Sequence, residues 1–90
     1  MDKNFKITFN VGYDQADTVI QIRQLEVRRE QLEEAIKDKA AGRAYDMLLL
    51  QPVFFPPIKK CKPGFDIGQV DQYLSSLKEE VRALELRLLG

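Results

Sequence analysis

The chain repeats a helix start and the stripe that follows it. Gly12-Tyr13-Asp14 and Gly64-Phe65-Asp66 stand 64 − 12 = 52 residues apart, and each opens a stretch with heptad spacing. At that same offset Ile22, Leu25, Leu32 and Ile36 fall on Leu74, Leu77, Leu84 and Leu88. Steps of three and four residues put each set on one helix face, as the a and d positions of a coiled-coil seam. Val70 extends the second stripe, and the remaining seam position is Arg29 in one half and Val81 in the other. Duplication, convergence on one geometry and the general likeness of heptads all account for the match. Whichever holds, the chain has two long amphipathic helices to place.

The helix starts support these spans. Asp66 followed by Gln69 has the form of a capping box, and Phe65 with Val70 stands where a hydrophobic staple would sit. Asp14 and Asp17, with Tyr13 ahead, are a weaker version. The first helix is expected over residues 14–42, with Gly42 as its stop, and the second over 66–90. Within residues 1–13, Phe5, Ile7, Phe9 and Val11 alternate with polar residues, which predicts one half-buried strand ended by Gly12. Residues 43–65 read as an apolar, then Pro-rich crossover. Pro52, Pro56, Pro57 and Pro63 exclude a continuous helix or central strand there, while Met47 to Leu50 suits a strand or a helical turn.

The expected fold is mainly α: one small domain over residues 1–90. It has two heptad-patterned, coiled-coil-like helices, a short N-terminal strand and a Pro-rich crossover. Extended chain covers about 3.3 Å per residue and a helix rises about 1.5 Å, so the crossover is long enough to return along a helix. A parallel pair within one chain is therefore feasible, and an antiparallel hairpin stays open. Narrow seams on so short a chain predict a homodimer or higher oligomer, with Ile22, Leu25, Arg29, Leu32, Ile36, Val70, Leu74, Leu77, Val81, Leu84 and Leu88 as the oligomerisation seam.

The edge charges differ between pairings. A first-helix homodimer sets Arg28 against Glu33 twice, and a second-helix homodimer sets Glu80 against Glu85 twice. A mixed parallel pair sets Arg28 against Glu85 and Glu80 against Glu33, with Arg29 opposite Val81. Such surface terms are each worth well under about 1 kcal/mol and do not select among the pairings.

Inventory narrows the chemistry. Lys and Arg together number 14, as do Asp and Glu, so the net charge is zero and no nucleic-acid partner is expected. His is absent and Cys61 is the single Cys, which leaves no ligand set for zinc and no His base for nucleophilic catalysis. A non-catalytic protein without cofactor or metal is expected. Asp14, Asp17, Asp66 and Asp71 read as helix-start carboxylates. Glu26, Glu30, Glu33, Glu34, Glu79, Glu80 and Glu85 read as surface charges with partners such as Lys37 and Arg82. The N-terminus lacks the pattern of a signal peptide, and no stretch is long and apolar enough to span a membrane. With a lone Cys, the expectation is a cytoplasmic protein whose membrane contact, where it exists, is peripheral at the inner face.

The second half resembles the DivIVA family of bacterial cell-division and polar-growth scaffolds. The residues that carry the resemblance are Phe55-Pro56-Pro57-Ile58, Gly64-Phe65-Asp66, and Val70-Asp71-Gln72-Tyr73-Leu74 leading into the heptads, about residues 52–89. The resemblance implies an oligomeric coiled-coil scaffold whose partners are itself, other division or cell-wall proteins, and anionic membrane lipids. It also implies a loop that inserts an aromatic among lipids with cations beside it. By position these are Phe54 and Phe55, with Lys59, Lys60 and Lys62. A lipid loop in the first half has only Phe5 and Phe9 to offer, and their alternation says strand.

The residues themselves leave two uses for the apolar run. Leu48, Leu49, Leu50, Val53 and Phe54 serve as core packing, in which case Phe55 is the more exposed aromatic, or they form a contact surface. Tyr73 suits a partner's groove or ordinary edge packing. The rival function is a protein–protein adaptor that binds through the Pro-rich loop or the seam and touches no lipid.

Overall fold

In the computed structural model, which describes residues 5–51 and 54–90, the two aspartates open the helices. Helix α1 spans Gln15–Ala40 and helix α2 spans Ile67–Leu89. Asp14 accepts the Asp17 N–H at 2.9 Å and Asp66 accepts the Gln69 N–H at 3.0 Å, each satisfying a donor that a helix start leaves open. At the other end of α1, Gly42 turns left-handed with φ 75°. Its N–H reaches Lys39 O and the Arg43 N–H reaches Asp38 O, the Schellman pattern that glycine favours.

Four two-residue strands sit where the helices start. They are β1 (Ile7–Thr8), β2 (Gly12–Tyr13), β3 (Lys60–Cys61) and β4 (Gly64–Phe65), in the order β1-β4-β2-β3 with every pair antiparallel. The halves exchange partners. Strand β1 of the first half pairs with β4 of the second, β3 pairs with β2, and Tyr13 meets Phe65 at the centre. Two further bonds extend the ladders: Asp14 N–H to Lys59 O at 2.7 Å and Asp66 N–H to Lys6 O at 2.8 Å. The 52-residue offset holds from β2 to β4, whereas β1 to β3 is 60 − 7 = 53. The difference lies in the tips, Phe9 to Val11 in one half and Lys62 to Pro63 in the other.

Glycine is required where the halves cross. A Cβ on Gly12 would lie 2.5 Å from the Phe65 carbonyl oxygen and 2.8 Å from the Gly64 carbonyl carbon. One on Gly64 would lie 2.7 Å from both Gly12 C and Tyr13 O. These neighbours are backbone and have nowhere to retreat.

The N-terminal strand expected over Phe5 to Val11 is corrected to Ile7–Thr8 alone. The chain must fold back at once to bring Gly12 into the crossing, and the Asn10 N–H bonds Thr8 Oγ1 at 3.2 Å in that turn. The four alternating residues therefore do not share a covered face. Phe5 is buried against the Phe65 and Tyr73 rings, at centroid distances of 5.4 and 5.8 Å, while Ile7, Phe9 and Val11 are exposed. Tyr73, weighed above for a partner's groove, packs within its own chain.

Both helices leave the sheet in the same direction. Arg29 reaches Glu80 and Lys39 Nζ reaches Leu88 O, so position rises together along the two. The particle measures 52 × 21 × 17 Å. Ile22, Leu25, Leu32, Val70, Leu74, Leu77, Val81 and Leu88 are buried, with Ile36 and Leu84 partly covered beside them. These residues were assigned above to contacts between copies; here they fill the space between α1 and α2 of one chain. Any contact between copies therefore moves to outer faces. Thr18 occupies the place equivalent to Val70, since 70 − 18 = 52, and is fully buried. Its hydroxyl donates to Asp14 O at 2.7 Å, which removes the cost of burying it.

Residues 43–65, expected to be a Pro-rich crossover with a strand or helical turn at Met47 to Leu50, hold a 3₁₀ turn there (Met47–Leu50) and, beyond that expectation, β3 and β4. The segment runs back along α1 over a stripe at heptad spacing: Ala35, Arg28 and Gln21. Arg28 donates to the carbonyls of Leu49 and Gln51, and Gln21 Nε2 donates to Pro56 O at 2.9 Å. A proline-rich extended chain has few N–H groups to satisfy, so side chains that donate to its carbonyls are enough to hold it.

Gly12→Ala and Gly64→Ala should each lower stability by about 2–3 kcal/mol or prevent folding, since overpacking against backbone is not relieved by a rotamer change. Gly68→Ala, on the first turn of α2 with only the Asp66 carboxylate 3.4 Å away, should be neutral or stabilise by up to about 1 kcal/mol. Urea unfolding of the three variants against wild type checks both.

Candidate functional site

Two exposed surfaces offer themselves, one at the free end of the sheet and one along the return segment. The register places both strand tips at one end. Thr8 faces Gly64 and Gly12 faces Cys61, so Phe9 to Val11 and Lys62 to Pro63 project together, away from the helices. Phe9 is 88% exposed, and Ile7 and Val11 are exposed beside it. Lys62 shares the tip, and Lys6, Lys59 and Lys60 lie behind it on the outer strands, all exposed. Among the described residues none of these lysines makes an ion pair. The nearby acids are occupied: Asp14 and Asp66 cap the helices, and Asp71 accepts from Tyr13. The tip is thus apolar with a cationic collar.

The capping box at Asp66 is only half made. Gln69 does not reach back to Asp66; its Oε1 accepts the Lys6 N–H at 2.7 Å. Asp66 N–H, which a box would satisfy, goes to Lys6 O instead. The crossing strand takes both groups, and Lys6 is clamped on each side of its own residue.

Of the membrane-contact set named from the resemblance, Phe54, Phe55 and Lys60 line one groove, while Lys59 and Lys62 lie further toward the sheet end. Phe54 lies on the return segment beside Leu74 and Lys78, about 10–16 Å along α2 from its first residue at 1.5 Å per residue. Lys59 and Lys62 belong to the sheet end. The two aromatics also reverse their expected roles. Phe54 is 83% exposed, whereas Phe55 is partly buried and packs on the core with Leu49, Leu50 and Ile58. Neighbours in an extended chain point to opposite faces, so only one of two adjacent rings turns inward. Leu48, placed with the core in one reading, is exposed, and Val53 lies outside the described residues. Alternation assigns Phe9 to a half-buried strand, but β1 stops at Thr8 and Phe9 lies in the turn beyond it.

Between the helices, Arg29 solves the charge problem of a mixed pair. It sits opposite Val81, and its guanidinium swings to the edge, 2.8 Å from Glu80 and 4.0 Å from Glu33. The two glutamates that would repel each other are joined through it, and the hydrogen bond it donates to Glu80 chiefly raises its pKa. Arg28 pairs with Glu85 at 3.6 Å. Tyr13 Oη donates to Asp71 Oδ1 at 2.7 Å, which together with burial pushes the phenol up to about 12. Burial pushes Tyr73 up too, with Glu26 adding to it.

Cys61 is partly covered, its Sγ 3.4 Å from Pro63 O and 3.8 Å from Asp14 Oδ1. Among the described residues no three His, Cys, Asp or Glu side chains gather where a metal would sit, and no helix is long and apolar enough to cross a membrane. No protein-family model matches the chain, and no curated protein or solved structure matches it either.

The Tyr13–Asp71 bond predicts a pH dependence. The phenol pKa is higher folded than unfolded, so its contribution is complete below about 10 and is lost as pH rises through about 12. Wild type should be more stable than Tyr13→Phe at pH 8, and the gap should close or reverse between pH 10 and 12, read by urea unfolding at each pH.

Proposed function

We propose that the chain is a non-catalytic, DivIVA-like scaffold that works at the inner face of a bacterial cell membrane in division or polar growth. In this reading α1 and α2 pack through their heptads as a parallel coiled coil within one chain. Copies associate through outer faces, and division or cell-wall proteins are recruited to the assembly. The sheet end is the part that meets lipid.

The observation that carries the reading is Phe9, 88% exposed at the tip and backed by Lys6, Lys59, Lys60 and Lys62. Fully desolvating a Phe contributes roughly 1.5–3 kcal/mol, and each Lys near an anionic leaflet about 1 kcal/mol. One tip binds weakly on these figures. Several tips on one assembly bind far better through effective concentration, which gives self-association a purpose. The shape suits the task too: a 52 Å rod with its apolar, cationic end at one pole.

Vesicle flotation tests this. Wild type should float with phosphatidylglycerol vesicles and not with phosphatidylcholine alone. Phe9→Ser and Lys59→Glu/Lys62→Glu, each verified as folded by circular dichroism, should lose at least tenfold in apparent affinity, while Phe54→Ser should keep it. Wild type that stays at the bottom of the gradient at high protein concentration, or a Phe9→Ser variant that floats equally well, counts against the lipid role.

A further inference from the structure

Phe54 has no use within the fold. Its ring is 83% exposed and stands between two grooves, of 530 Å³ and 390 Å³, that lie along α2 and both include Phe55 and Lys78 in their walls. The first groove also has Leu25, Leu50 and Val81 in its walls, with Arg28, Arg82 and Glu85 among them, so it is of mixed character; the second continues towards Lys60 beside the sheet.

The charges around these grooves are unbalanced in a chain whose net charge is zero. Lys78 and Arg82 are spaced i,i+4 on α2, an arrangement that costs a helix stability when both residues are cationic. Both line the first groove, both are exposed, and neither makes an ion pair among the described residues. The pairing of Arg82 with a helix glutamate expected above does not form. The two acids in the groove walls are already engaged, Asp71 with Tyr13 and Glu85 with Arg28. Lys60 adds another unpaired cation at the lower end. An exposed aromatic between partly apolar hollows whose walls hold Lys78, Arg82 and Lys60, none of them in an ion pair among the described residues, is complementary to an acidic segment with apolar anchors.

We propose that this double groove is the docking surface for an acidic segment of a partner protein. Its apolar side chains pack on either side of Phe54, against Leu50 and Phe55, and its carboxylates meet Lys78, Arg82 and Lys60. The surface meets the sheet end at Lys60 and otherwise lies along α2, so one rod offers lipid at its pole and a protein partner along its flank.

Phage panning of random 12-residue peptides on the full chain tests the proposal, with the same panning on folded Phe54→Ser and Lys78→Glu/Arg82→Glu variants. Wild type should enrich peptides of net negative charge that contain Leu or an aromatic. Synthetic versions should bind at least tenfold more weakly to either variant, and amide shifts in NMR should gather on Lys60, Phe54, Phe55, Lys78 and Arg82. Enrichment of neutral or basic peptides, or the same peptides enriched on both variants, overturns it. So does a Phe54→Ser variant that abolishes self-association in sedimentation, which assigns the groove to a second copy, or one that loses vesicle binding, which assigns it to lipid.

Discussion

At Gly12 and Gly64 two backbones pass closer than any side chain allows, and the rest of the architecture depends on that passage. Each two-residue strand has too few bonds to persist alone. Crossing lets each half complete its ladder with the other half's strands, and it ties the two helix starts together. Asp14 and Asp66 each directly follow a crossing strand, bond to its neighbour through their backbone N–H and cap a helix, so the sheet dictates that α1 and α2 leave side by side in one direction. A parallel pair within one chain then requires a return path, and residues 43–59 supply it. The turned-out tips follow from the same crossing: β1 cannot pair with its own β2, so the link between them stays free and Phe9 is left in solvent.

The two helices share a stripe but differ in what surrounds it. Helix α2 is covered on its seam and otherwise open. Helix α1 carries a second covered stripe, Gln21, Arg28 and Ala35, beneath the return segment. Its Gln21 and Arg28 are polar because the segment above them offers carbonyls. Arg29 shows the same economy at the seam: an aliphatic residue there would improve packing but leave Glu33 facing Glu80 with nothing between them. The asymmetry between halves is what a single-chain version of a twofold arrangement requires, since only one helix lies under the connection.

Much of this was legible in the residues. The Gly-aromatic-Asp repeat, the stripes of Ile22 to Ile36 and Leu74 to Leu88, and the breaker at Gly42 are local signals with local causes, and they delimit the helices. The strands were not legible. Two residues contain no alternation to read, and their pairing is set by a partner fifty residues away. The alternation from Phe5 to Val11 misled for a related reason: period two is informative only where the chain has room to stay extended. Phe54 and Phe55 could not be told apart, because adjacent positions in an irregular segment face opposite ways and the choice is made by Gln21 and Arg28, far off in the chain. Thr18 escaped notice because its hydroxyl reads as polar until its bond to Asp14 O is seen.

The proposed membrane-facing pole and protein-facing flank depend on one claim, that both helices of a single chain run in parallel from the crossing. Pulsed electron–electron resonance on spin labels at Lys37→Cys and Leu89→Cys, in a Cys61→Ser background, tests it most directly because these positions stand 89 − 37 = 52 residues apart at the far end of the rod. Parallel helices about 8–10 Å apart give a label distance of roughly 15–25 Å that persists on dilution with unlabelled protein. An antiparallel arrangement separates the labels by about 30 Å or more at 1.5 Å per residue. That longer distance, or a short one that vanishes on dilution because it arises between chains, would contradict the account.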